Sequence, residues 1–201
     1  MVSAYVDRQV NWIWGRSDRA GVLANLRRAV NLTPGDAVST WGIEFGTFPE
    51  KLLGQGDRPS KAESAVHAAL TLYAIHQQSH HSTPMHHPGR SLAAAVRVLA
   101  LQLSPDNRVP EQPPHRFTAL ATAGSQAELL NHARGLIRQL GTSKPPIPLD
   151  YGQLAADLYS IQYSSSAPGV RLRWAREFAF TPPAATSDHQ DQRTDQPNGG
   201  K

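Results

Sequence analysis

Ser125-Gln126-Ala127-Glu128-Leu129-Leu130-Asn131-His132-Ala133-Arg134-Gly135-Leu136-Ile137-Arg138-Gln139-Leu140-Gly141 is the stretch whose reading decides the fold. It opens with a serine followed three residues later by a glutamate. In that pattern each side chain satisfies an orphan backbone N–H at a helix start. Each helical residue advances by about 100°, so Leu129, Ala133, Leu136, Ile137 and Leu140 fall on one stripe. The spacing predicts an amphipathic helix that Gly141 ends. Measured from Leu129, Arg134 lies near ~140° and Arg138 near ~180°, stacked one turn apart on the outer face. Glu128 falls on the far side of the stripe, and no acidic residue is spaced to pair with both arginines.

The same period recurs outward in both directions. Asp150 is placed to cap a helix bearing Tyr151, Leu154, Ala155, Leu158 and Ile161, and a last helix is expected over Val170–Phe178. Upstream, Arg116–Thr122 reads as a short helix and Ser91 starts a longer one with Leu92, Ala95, Val96, Leu99 and Leu103 inward. Ser60 caps a helix over Lys61–Gln78. Helix 1 is expected over Ser3–Trp14, helix 2 opens at Ser17-Asp18 and runs to Val30, and a short third helix covers Asp36–Phe45. Segments 48–59, 80–89 and 105–114 hold prolines and glycines without period and read as loops. The expectation is an all-α helical bundle of seven to nine helices over 1–180, any division into two sub-bundles lying near 105–114. Residues 181–201 are polar and aperiodic, and are expected to be a disordered tail.

Composition narrows the function. The 201 residues contain no cysteine, which excludes disulfides, thiolate catalysis and cysteine-based metal clusters. No apolar run is long enough to span a bilayer and no signal peptide is visible, so a cytoplasmic protein without membrane contact is expected. The 20 basic residues divide into 16 arginines and 4 lysines. Arginine offers a planar fork that pairs phosphate oxygens bidentately. From Ser64 to Leu149 there are seven basic residues (Arg90, Arg97, Arg108, Arg116, Arg134, Arg138, Lys144) against Asp106, Glu111 and Glu128. Such a bias is the electrostatic footprint of a phosphate-binding surface. Arg27 and Arg28 add an adjacent pair where helix 2 ends.

Other chemistries fit less well. His76 and His80 are four apart, the spacing at which two helical imidazoles share a zinc, with His81, His86 and His87 close behind. A zinc hydrolase wants a glutamate beside the first histidine, yet positions 77 and 78 are both glutamine. No carboxylate lies between Glu63 and Asp106. No metal or other cofactor is expected. Gly-rich phosphate loops, nucleophile elbows and close carboxylate pairs are missing, so no enzymatic activity is expected. Trp12, Trp14, Trp41 and Trp174 are expected in the core rather than as stacking platforms. A helix-turn-helix regulator is the alternative, with Gln126, Asn131 and Arg134 at base-reading positions.

Leu26-Arg27-Arg28-Ala29, Tyr73-Ala74-Ile75-His76-Gln77-Gln78, Met85-His86 and Gly89-Arg90-Ser91-Leu92 begin an ordered string of short motifs. It continues with Arg116-Phe117-Thr118-Ala119-Leu120, His132 to Arg138, Leu149-Asp150-Tyr151 and Arg173-Trp174-Ala175-Arg176-Glu177-Phe178. In order and spacing this string resembles the CasB family, the small subunit of the type I-E CRISPR surveillance complex, Cascade. The resemblance implies an all-helical, non-catalytic protein, present as a dimer beside the other Cascade subunits. It implies contact with the crRNA, the target DNA strand and the displaced non-target strand. Guide pairing reads the sequence there, so the protein needs only a basic track. Carried over by position, the nucleic-acid-binding residues are Arg27, Arg28, Lys61, Arg97, Arg116, Arg134 and Arg138. Arg171, Arg173 and Arg176 match the family's terminal pattern and are expected to be mostly structural, with Trp174 and Phe178 packing. His76 and His86 belong to the pattern, whereas the further histidines and the polar tail do not.

Overall fold

A computed structural model describes residues 1–106 and 108–180. The tail expected at 181–201 lies outside the described residues. Within them the chain is all α, with nine helices and no strand. They are α1 (Val2–Trp14), α2 (Arg19–Ala29), α3 (Trp41–Glu44), α4 (Lys61–His76), α5 (Leu92–Leu103), α6 (His115–Ala121), α7 (Gln126–Thr142), α8 (Tyr151–Ser160) and α9 (Ala167–Phe180). Two 3-10 turns, Val38–Thr40 leading into α3 and Glu50–Leu52 in the following loop, complete the set.

α4 is the axis of the bundle. Alanine, valine, leucine, threonine and tyrosine side chains bury it on nearly every face, as expected of a helix enclosed by others. It packs against α1, α2, α3, α7 and α8. Its start carries the complete reciprocal cap: Glu63 N–H donates to Ser60 Oγ, and Ser60 N–H to Glu63 Oε2 at 2.5 Å. At α7 the expected box forms only in half. Ser125 Oγ accepts from Glu128 N–H, but the Glu128 carboxylate takes the Gly124 N–H instead. Gly141 does not end α7, which runs one residue further and stops at Ser143. Asp18 makes no cap bond at α2 because its carboxylate pairs with Arg16 at 2.5 Å.

One hydrophobic core gathers buried residues from both sides of the 105–114 connection, among them Val96, Leu99, Phe117, Leu136, Leu154 and Trp174. α5 precedes that connection and packs on α9 at the far end of the chain. Of the four tryptophans only Trp174 is in the core. Trp12 and Trp41 are about half exposed (47% and 48%). Arg16 lies 4.3 Å over the Trp12 ring, and Trp41 Nε1 donates to Gly35 O at 2.7 Å. Those local partners hold the rings at the surface, which the period of α1 does not reveal. No helix among the described residues is long and apolar enough to cross a membrane.

Candidate nucleic-acid interface

α2 and α7 flank α4, and α6 packs along α7. Arginines of all three helices reach neighbouring elements. Arg27 donates to Ala74 O in the last turns of α4 at 3.3 Å. Arg134 crosses from α7 to donate to Val30 O at the end of α2, 3.2 Å away. Arg116 of α6 lays its guanidinium against Gly135, where a Cβ would collide with it, so glycine there is what admits the arginine. Arg138 is exposed one turn beyond Arg134, and Arg28 is exposed beside Arg27 with Asn25 Oδ1 as its partner.

This face has almost no counter-charge. α2 and α6 contain no carboxylate, and α7 contains only Glu128 at its first turn. Arg116 and Arg138 make no ion pair or hydrogen bond through their guanidinium groups among the described residues. Burial, and then the like charge of Arg28, lowers the Arg27 pKa. Burial and the like charge of Arg138 do the same for Arg134. Both remain cationic at neutral pH because arginine starts so high. Arg134 differs from its expected place: it is half-buried against α2 rather than standing on an open outer face. The wheel of an isolated helix cannot show that a neighbouring helix ends there with an open carbonyl.

The other two carried-over residues lie elsewhere and are engaged. Lys61 opens α4, about 20 Å along the axis from Ala74 at 1.5 Å per residue. Its ammonium donates to Gln162 O at 2.9 Å and sits 3.6 Å over the Tyr163 ring. Arg97 donates to Phe178 O and Ala179 O at 2.7 and 3.0 Å, closing the end of α9.

The histidines do not converge. His76 Nδ1 bonds Tyr151 Oη at 2.9 Å, while His80 Nε2 bonds Gly141 O at 2.9 Å. Ligating atoms do come within 4.8 Å of one another at Asp7, His86 and Asp150, a trio that spacing could not suggest because Asp7 belongs to α1. Tyr151 N–H donates to His86 Nδ1 at 3.2 Å, so the ring proton sits on Nε2, turned toward Asp7 Oδ1 at 3.7 Å. Asp150 uses one oxygen to cap Gln153 N–H and the other to accept from Gly89 N–H. Burial, then repulsion from Asp150, raises the Asp7 pKa. The trio is thus a polar joint between α1, the histidine loop and α8.

Comparison with known proteins settles the lineage. A family model described as CRISPR-associated protein Cse2 matches residues 22–178. The chain belongs to the Cse2 family. Crystalline CasB from Thermobifida fusca is 32% identical, with a TM-score of 0.70 over 89% of this chain and 98% of its own. Two structures from Thermus thermophilus, one a CRISPR-associated Cse2-family protein and one CasB, share the fold. Each is 22% identical, with TM-scores of 0.63 and 0.59, over 89% and 87% of this chain and 97% of theirs. No curated protein matches. The Cse2 match runs from α2 into α9 and so includes every arginine of the face described above.

Proposed function

We propose that this chain is the non-catalytic small subunit of the type I-E CRISPR surveillance complex, Cascade. It acts in the cytoplasm, in antiviral defence, as a head-to-tail dimer. It holds the crRNA–target heteroduplex and the displaced non-target strand by sequence-independent phosphate contacts. The observation that carries this reading is the gathering of Arg27, Arg28, Arg116, Arg134 and Arg138 on helices nearly free of carboxylates, in a Cse2-family chain. Phosphate backbones are bound by such fields without base readout. Lys61 and Arg97 enter as weaker contacts, because intramolecular acceptors already occupy them.

The regulator alternative has less support. A recognition helix must present its polar face to the major groove. Of the three base-reading candidates on α7, Gln126 and Asn131 are exposed, but Arg134 is instead bonded to Val30 O. The test is co-expression of the tagged chain in its native host. The reading expects the remaining Cascade proteins and a crRNA to be recovered with it. Recovery of a single promoter fragment, with no other Cascade protein, would contradict it.

A further inference from the structure

Gly135 stands inside α7, directly after Arg134 and one turn before Arg138. Its backbone is ordinary α-helix, outside the left-handed region, so nothing in the main chain calls for glycine. In a helix interior glycine is unfavourable, because it surrenders more backbone freedom than alanine. The reason for it lies in the space where a side chain would begin. A Cβ at Gly135 would stand 2.7 Å from both Cδ and Cζ of Arg116 and would also strike its Nη1. All three of its nearest neighbours would belong to that one side chain. Arg116 reaches this place from α6, where the next residue, Phe117, is buried with its ring 5.9 Å from Trp174 and 6.1 Å from Phe178. The root of the arginine is thereby fixed. Its far end rests on the bare backbone of α7, and the residue stays exposed.

We infer that Gly135 is a positioning residue for nucleic-acid binding: it seats the Arg116 guanidinium on the segment of α7 that bears Arg134 and Arg138. This rests on the function proposed above. A long side chain that is loose before binding must give up its rotamer freedom when it meets a phosphate. Seated in advance, Arg116 has less freedom left to lose, and the contact is tighter. A methyl group at position 135 removes no charge and suits the helix. What it meets is the movable end of a flexible side chain, so the arginine gives way rather than the α6–α7 joint. Arg116 then keeps its charge and loses its place. Two effects of opposite sign follow, because alanine favours the helix while the displaced cation weakens the interface. A glycine kept for packing alone would not separate them.

The test measures the full chain's affinity for a labelled single strand across a salt series, with a urea melt of each variant. Gly135→Ala should weaken binding roughly fivefold at fixed salt, the scale of one side chain left to be ordered. Its slope of log affinity against log salt should fall by about 1, as in Arg116→Ala, although no charge has been removed. In the Arg116→Ala background, adding Gly135→Ala should leave affinity unaltered and raise the urea midpoint by about 0.5 M. Wild-type affinity in Gly135→Ala, with Arg116→Ala impaired, would overturn the positioning role and leave the phosphate track standing. A loss that persists without the Arg116 side chain would also overturn it, and would place the strand itself against Gly135. So would a lowered urea midpoint in Gly135→Ala alone, since the fold rather than the arginine would then have moved. Wild-type binding without salt dependence would remove the interface and the positioning role together.

Discussion

Arginines at the α8–α9 end and arginines on the α2–α6–α7 face have opposite surroundings. Arg173 is bonded to the buried Asp157 carboxylate, and Trp174 Nε1 donates to the other Asp157 oxygen at 2.6 Å. Arg171 donates to Ala121 O at 2.7 Å. There Arg173 is matched by an acid and Arg171 by a helix-end carbonyl, while Arg176 is exposed beside Glu177 on a helix that carries its own carboxylate. On the α2–α6–α7 face Arg116 and Arg138 have neither, and Arg28 has only the Asn25 amide. The difference teaches that the number of arginines does not define an interface. What sets the α2–α6–α7 arginines apart is that their open guanidinium groups stand on helices nearly free of carboxylates.

The comparison breaks most severely at Asp157. Burial pushes its pKa up to about 6, against the opposing pull of the Trp174 N–H and of Arg173. Asp157→Ala leaves the indole N–H and part of the guanidinium without acceptors. It should lower the unfolding free energy by about 3 kcal/mol in urea titrations. Its nucleic-acid salt slope should stay as in the wild type. A stable variant with a changed slope would mean that the two regions are not separate.

Beneath the arginine face the sensitive group is His76, whose pKa burial lowers to about 3. The unfolded chain takes up this proton near pH 6.5, and the folded chain does so only near pH 3. Stability from this residue is therefore complete above pH 6.5 and lost progressively as the pH falls, by up to about 1.4 kcal/mol per pH unit. His76→Asn, which retains a bond toward Tyr151, should show a shallower decline between pH 6.5 and 4.5 in denaturant melts. A decline as steep as in the wild type would assign the acid sensitivity elsewhere.

Smaller effects separate engaged cations from open ones. Arg97→Ala should cost about 1 kcal/mol through the lost closure of α9, with little change in affinity for nucleic acid. Lys61→Ala should cost about 0.5 kcal/mol, the worth of an exposed cation–π contact. A larger fall in affinity than in stability at either position would move it into the interface.

Much of this was legible in the sequence. The stripe Leu129–Leu140 and the caps at Ser60, Ser91 and Asp150 are local patterns, and local hydrogen bonds enforce them in the fold. The arginine pairs Arg27–Arg28 and Arg134–Arg138 were visible for the same reason. Illegible were features that arise only where distant segments meet. Glu44 and His67 pair across two helices. Asp7 reaches His86 and Asp150 because Gly152 lets its carboxylate approach α8. Arg134 turns inward because α2 happens to end opposite it. Trp12 and Trp41 were misplaced because an arginine and a glycine carbonyl nearby suit a half-exposed ring as well as a core would.

The salt dependence of nucleic-acid binding tests the central claim most directly. The triple variant Arg28→Glu, Arg116→Glu, Arg138→Glu changes only exposed guanidinium groups on the α2–α6–α7 face. Arg171→Glu with Arg176→Glu on α9 is the control. Counterion release predicts that the slope of log affinity against log salt falls by about 2–3 in the triple variant, with the control near the wild type. A folded triple variant with an unchanged slope, or a control that loses as much, would contradict the assignment of phosphate binding to this face.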